Sequence, residues 1–202
     1  NGQTTEDLSN LLASDYTVTV TDNAASSTTA TIRVPYLTMP NWSVVPSGLF
    51  IRGDDRYRND GTTGLMAESC NKLAANEEGY LDIEILETNQ LTNGNYYYGF
   101  IDASQAFTAL SQIKYGIHKH TSTTLNIYEN GATVSSPGGG AVTIIRIERR
   151  NGKLRYYKNG IVVREVSVNM AENLRFVASF GQTPTTSLNV KFRTTASCPI
   201  SA

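Results

Sequence analysis

The amino-acid sequence predicts an all-β protein, a partial β-repeat module followed by an antiparallel two-sheet β-sandwich, on three observations. Thr, Ser, Asn, Gly and Tyr are prominent while Lys and Glu are sparse, a balance that favours strands and tight turns over long helices. Apolar and polar residues alternate with period two in one segment after another, as strands with a single buried face require. Asn-Gly pairs at 130–131, 151–152 and 159–160 each separate two such runs, and Asn-Gly is a strong hairpin signal because both residues tolerate positive φ.

Taken in order, residues 15–22 place Tyr16, Val18 and Val20 on one strand face and Thr17, Thr19 and Thr21 on the other. Residues 23–27 are turn-prone, and 29–34 alternate again until Pro35 stops them. The result is a hairpin, which is marginal alone in water and must pack on something else. Further strands are expected at 48–52, 80–86, 96–101, 113–118, 125–129, 174–179 and 188–193. The clearest signal is a meander of 142–150, 153–158 and 161–166 joined by two Asn-Gly turns. Its alternation predicts that Ile145, Ile147, Leu154, Tyr156 and Val162 are buried together with Phe176, and that Arg146, Glu148 and Arg155 face outward. One helical turn is expected at 103–110.

Bulk properties remove several functions. The 202 residues carry 17 basic and 18 acidic side chains, a net charge of −1, with no basic face for a nucleic-acid partner. No stretch approaches the roughly 20 apolar residues of a membrane helix, so membrane insertion is not expected. The N-terminal residues lack the basic and apolar regions of a signal peptide, which places any export signal outside this chain. Cys70 and Cys198 are the two cysteines, too few for a disulfide scaffold or a four-cysteine zinc site. They are candidates for one disulfide in an oxidising compartment, or two unpaired thiols.

Two resemblances refine this reading. Residues 1–8 (Asn-Gly-Gln-Thr-Thr-Glu-Asp-Leu) followed by 16–22 (Tyr-Thr-Val-Thr-Val-Thr-Asp) resemble the second half of an SprB-type repeat, found in gliding-motility and adhesion proteins of Bacteroidetes. The likeness covers about residues 1–35. The first half of the repeat is missing, and Ser26 or Ser27 stands where a Cys is usual. Residues 198–202, after Ser197, resemble the opening of a further repeat. Residues 36–197 form the remaining domain, in which 98–100 (Tyr-Gly-Phe), 113–117 (Ile-Lys-Tyr-Gly-Ile), 125–131, 145–149 and 154–160 resemble concanavalin A-like and laminin-G-like domains. That resemblance implies a jelly roll, a fold that hosts enzymes, lectins and structural modules alike.

Candidate chemistry is confined to a few places. Tyr80, Asp82 and Glu84 share one strand face, and residues 80–84 resemble the Glu-x-Asp-x-Glu strand of laminarinase-like glycosidases. Carried over by position, Glu84 is the acid/base and Asp82 the central Asp, but Tyr80 occupies the nucleophile's place and removes one of two required carboxylates. His118 and His120 lie on one side of a strand but lack further zinc ligands. Asp54, Asp55 and Asp60 are calcium candidates in a loop that also carries Arg56 and Arg58; no other cofactor is expected. Aromatic rings stack on apolar sugar faces, so Trp42, Tyr57, Tyr80 and Tyr97, with Asp82 and Glu84, are the glycan-binding candidates. No catalytic residue is assigned.

The resulting expectation is a non-enzymatic, secreted, extracellular or cell-surface adhesin or filament subunit with a surface polysaccharide or glycan as partner. It would self-associate, as a homo-oligomer or filament, by strand addition through the N-terminal hairpin. The alternatives are a lectin module of a secreted enzyme and a laminarinase-like glycoside hydrolase.

Overall fold

The computed structural model describes residues 14–34, 37–38, 42–47, 49–51, 56–59, 64–85, 96–119, 124–180 and 188–193. The chain divides into two units, Asn1–Leu37 and Thr38–Ala202.

In the first unit, β1 (Ser14–Thr21) and β2 (Ser27–Val34) form an antiparallel hairpin with Tyr16 opposite Ile32, Val18 opposite Ala30 and Val20 opposite Thr28. Asp22 makes the turn: its Oδ1 accepts from the backbone N–H of Ala24 and of Ser26, both at 2.9 Å, beside Ala25 at φ 63°. Tyr16 and Val18 are half-buried, whereas Val20 is 62% exposed. The two-residue strand β3 (Leu37–Thr38) straddles the boundary between the units.

The second unit is a sandwich of two antiparallel sheets. Seven strands make the first sheet, in the order β12 (Ala132–Ser135), β11 (Leu125–Glu129), β10 (Tyr115–Lys119), β9 (Tyr96–Asp102), β16 (Leu174–Phe180), β7 (Leu65–Leu73) and β4 (Trp42–Val44). The second sheet runs β15 (Ile161–Ser167), β14 (Lys153–Lys158), β13 (Ile144–Arg150), β8 (Gly79–Ile85), β17 (Leu188–Arg193), β6 (Arg56–Asn59) and β5 (Leu49–Ile51). The Asn-Gly pairs at 130–131, 151–152 and 159–160 occupy two-residue hairpin turns, with φ between 49° and 82° at all six residues. Positive φ at both positions matches the twist of the flanking strands.

Inward residues follow the alternation. Tyr96, Tyr98, Phe100, Ile117, Ile127 and Phe176 of the first sheet belong to one buried core with Leu81, Ile83, Ile145, Ile147, Leu154 and Tyr156 of the second. Each large apolar side chain so buried stabilises the fold by about 1.5–3 kcal/mol. Arg149 also points inward and is buried, and its guanidinium donates to the carbonyls of Glu77 (2.8 Å), Glu172 (2.7 Å) and Ala74. Three carbonyl acceptors from two turns make that burial tolerable, because a buried charge is costly chiefly when its donors lack partners.

A second small core lies on the other side of the first sheet. Ile101 and Val177 are covered there by Phe107 and Ile113, with Met66, Leu110, Tyr97 and Tyr128 packed alongside. Glu68 ties the covering segment down: its carboxylate accepts from the Phe107 N–H at 2.6 Å and from Arg175 Nη1 at 2.5 Å. Gly99 and Gly116 face one another across β9 and β10. A Cβ on Gly116 would lie 2.6 Å from Ile113 Cγ2 and 2.7 Å from the Tyr98 carbonyl, so Ile113 uses the space that the glycine leaves.

Three expectations are corrected. Val162 is 47% exposed rather than buried: a register shift at Tyr156/Tyr157 pairs Val162 with the outward Tyr157 and turns Val163 and Val166 toward the core. Residues 103–109 are not helical, and the one 3-10 turn among the described residues lies at Leu110–Gln112. Strand β7 was not expected, although it lies inside the first sheet between β16 and β4.

Candidate functional site

The outward sides of the two sheets differ in chemistry. On the second sheet, Asp82 of β8 stands opposite Arg146 of β13. Arg146 donates to Asp82 from Nε at 2.6 Å and from Nη2 at 2.7 Å, while its guanidinium carbon lies 3.8 Å from the centre of the Tyr80 ring. The paired carboxylate, the first of its causes, raises the guanidinium pKa above its ordinary value. Farther along, Tyr157 donates its hydroxyl to Glu148 at 2.6 Å, and Arg155 pairs with Glu165 at 2.7 Å and Glu148 at 3.9 Å. This face is a lattice of side chains engaged with one another. Glu84, also half-buried on β8, lies opposite Ile144 and Asn189.

On the first sheet, Tyr97 of β9 and His118 of β10 are direct cross-strand partners. Their rings stack with centroids 4.2 Å apart and planes 3° apart, and the Tyr128 ring of β11 stands edge-on to Tyr97 at 5.2 Å. Burial, then the neighbouring Tyr128, raises the Tyr97 phenol pKa. Asn126, opposite His118 on β11, brings its amide Nδ2 within 3.4 Å of His118 Nδ1, and Ser136 Oγ donates to Asn126 Oδ1 at 2.7 Å. All of these side chains are half-buried except Ser136, which is exposed. Half-buried rings next to an oriented amide are groups of the kind that saccharide recognition uses.

Toward the other end of the same strands, Asp102, Gln105, Ser111, Gln112, Lys114 and Asn130 line an open cavity of about 370 Å³. Asp102 accepts from the Ser104 N–H (2.9 Å) and hydroxyl (2.6 Å), the main reasons that its carboxyl titrates below the usual range. Lys114 pairs with Glu172 at 2.7 Å, and Gln112 accepts from the Thr108 and Ala109 N–H groups.

The sequence candidates therefore separate. Tyr80, Asp82 and Glu84 share one face of the second sheet, and Tyr97 lies on the first. Trp42 is buried at 9% exposure against Phe176 and Phe180, centroids 5.3 and 6.4 Å away, so it is a core residue and not an exposed binding ring. Tyr57 is placed by its backbone on β6, opposite Ile51 and Leu188. Asp54, Asp55, Asp60, His120 and Cys198 lie outside the described residues. Among the described residues, no group of three or more His, Cys, Asp or Glu side chains is placed to hold a metal ion, and no helix is long and apolar enough to cross a membrane. Cys70, half-buried on β7, is disulfide-bonded. Tyr128, Asn126, Asp102, Lys114 and Asn130 were not singled out as site residues. Alternation places Asn126 and Tyr128 on one face of β11, but only strand pairing brings them beside Tyr97 and His118.

No family model and none of the curated proteins matches the chain. Among solved structures, it is similar to the carbohydrate recognition domain of Emp46p (TM-score 0.52, 6% identity, covering 76% of this chain and 87% of that one). It is also similar to the PSpry domain of TRIM65 (TM-score 0.52, 9% identity, 76% and 92% covered). A third is the exoplasmic/lumenal domain of VIP36 in a Ca²⁺/Man2-bound form (TM-score 0.50, 5% identity, 82% and 89% covered). At such identities the likeness concerns fold alone, and the fold is the antiparallel jelly-roll β-sandwich.

Proposed function

We propose that this chain is a non-catalytic glycan-binding module of a secreted cell-surface protein, and that the outward face of β9, β10 and β11 is its binding surface. The observation that carries the reading is the Tyr97, His118 and Tyr128 cluster beside Asn126. Sugar C–H faces stack on such rings while an oriented amide hydrogen-bonds hydroxyls. The carbohydrate recognition domain and the Man2-bound form among the structural neighbours agree with this reading. The polar cavity at the far end of the same strands would hold a further saccharide unit.

The glycosidase alternative loses support on the second sheet: Tyr80 stands where a nucleophilic carboxylate is needed, and Asp82 is held by Arg146. The disulfide at Cys70, which we pair with Cys198 because the chain has two cysteines, favours an oxidising and hence extracytoplasmic setting. An adhesive role, with self-association through the hairpin, completes the reading: among the described residues β1 and β2 form a sheet of two strands, whose outer edges are sites for strand addition. A glycan array probed with the purified chain, with and without added calcium, tests the proposal. Binding to a defined saccharide class is expected, and calcium dependence would bring Asp54, Asp55 and Asp60 into the site. Absence of binding across neutral, acidic and amino sugars in both conditions would overturn it.

A further inference from the structure

Two lysines point into the sandwich interior without an acidic partner among the described residues. Lys119, at the end of β10, is 2% exposed, and its Nζ has no hydrogen-bond partner. Lys158, at the end of β14 on the opposite sheet, is 8% exposed, and its Nζ donates to the carbonyls of Gly138 (3.3 Å) and Gly139. Both glycines belong to the loop that leads from β12 of the first sheet to β13 of the second.

Two other buried charges have their partners among the described residues. Arg149 has three carbonyls, and Glu129 receives two hydrogen bonds from Arg164, at 2.9 and 2.7 Å. Glu129 is also remote from Lys119, which pairs with Leu125 at the start of β11; four residues of strand separate the two positions by about 13 Å. The charge that Lys119 feels is that of Lys158, of the same sign, and burial followed by this repulsion lowers the Lys119 pKa to about 8. Tyr98, diagonal to Lys119 on the inward side of β9, adds a buried hydroxyl without a partner. Buried polar groups are overwhelmingly hydrogen-bonded, and an exception calls for a ligand, an ordered water or a function.

We propose that Lys119 and Lys158 form an internal binding site for one small monovalent anion, a halide or a carboxylate. Such an ion offsets two like charges and supplies an acceptor to an ammonium with three unused donors. The same chemistry comes from a free ion or from the carboxylate of an acidic saccharide reaching past the Gly138–Gly139 loop.

Thermal unfolding at neutral pH and fixed ionic strength, against a sulfate background, tests the site. Chloride, acetate, free glucuronate and an oligouronide are compared, with glucose as the neutral control. At about ten times its Kd, a bound anion raises Tm by roughly 3–5 °C. The shift should vanish in Lys119→Met, which experiences the same general salt effects. Response to chloride or acetate identifies a free ion, and response to the uronates alone identifies a saccharide carboxylate. Bromide in crystals of the unaltered chain should give an anomalous peak between the two ammonium groups. Equal shifts in the unaltered chain and Lys119→Met, or no shift together with no bromide peak, overturn the proposal. Should Lys119→Met not fold, Lys158→Met serves as the same control. Tyr97→Ala leaves the chloride and acetate responses intact, so those arms are separate from the test of the glycan-binding surface.

Discussion

The outward sides of the two sheets are built on the same alternation but to different ends. Along β8, β13, β14 and β15, charged residues of opposite sign fall opposite one another, and Asp82–Arg146, Tyr157–Glu148 and Arg155–Glu165 occupy each other's hydrogen-bonding groups. Along β9, β10 and β11, the glycine at 116 leaves room for Ile113 of a covering segment, the glycine at 99 lets β10 approach closely, and Tyr97, His118 and Tyr128 form a ring cluster beside them. What separates the faces is what engages those groups: paired charges and a tyrosine hydroxyl on the second sheet, stacked rings and an amide held by Ser136 and His118 on the first.

The largest expected effect breaks the aromatic face from beneath. Gly99→Ala would bring a Cβ to 2.6 Å from the Gly116 Cα, backbone that has little freedom to move. It should cost about 3 kcal/mol or more and lower Tm by roughly 6–12 °C. Gly138, with nothing within 4 Å of a built Cβ, is the control and should tolerate alanine. Equal Tm values for the two variants in thermal unfolding would refute the close packing of β9 on β10.

A second effect concerns the interior between the faces. The folded-state pKa of Lys119 is lowered to about 8 from 10.5, so below about pH 8 both folded and unfolded states are protonated and the burial penalty is complete. Between about 8 and 10.5 the unfolded chain holds a proton that the folded chain has released, and stability rises with pH. The total is on the order of 3 kcal/mol. Denaturant unfolding across that range, in sulfate without halide or carboxylate, should show the rise in the unaltered chain beyond that in Lys119→Met. Parallel curves would contradict it.

Breaking the ion-paired face should matter less. Arg146 and Asp82 are both partly exposed, with side chains 35% and 21% accessible, and such pairs contribute about 0–1 kcal/mol. Arg146→Met should therefore cost at most about 1 kcal/mol in chemical denaturation and leave glycan affinity unchanged. The smallest effect tests the bulge. Val162→Thr, on an exposed position, should stay within about 0.5 kcal/mol, whereas Val163→Thr, packed against the core, should cost about 1 kcal/mol or more. A reversed order would restore the uninterrupted register.

What could be read from the sequence depended on the range of the cause. The Asn-Gly turns and the meander around them follow from neighbouring residues, and the structure has all three turns with positive φ. Val162 departs because a bulge on an edge strand shifts the phase of alternation without a sequence mark. Strand β7 was hidden by its own composition: Met66, Ala67, Glu68 and Lys72 favour helix, and Glu68, Ser69 and Asn71 are polar yet buried. Their burial depends on distant partners, Phe107 and Arg175 for Glu68 and the Phe176 carbonyl for Ser69. The candidate site was partly legible. Tyr97 stood out as an aromatic flanked by alternating tyrosines, but Trp42 was as plausible on sequence, and only packing against Phe176 and Phe180 removes it. Asn126 and Tyr128 join Tyr97 through the β9–β10–β11 register, which local pattern does not encode.

The most direct measurement compares the two faces with one ligand. Once an array identifies a saccharide, calorimetric titration with Tyr97→Ala and with Tyr80→Ala, each shown to be folded by circular dichroism, decides between them. Tyr97→Ala should weaken binding tenfold or more, about 1.4 kcal/mol, whereas Tyr80→Ala, which removes the ring under Arg146, should change it less than twofold. Loss of binding in Tyr80→Ala with full affinity in Tyr97→Ala would contradict this and return the binding surface to the second sheet.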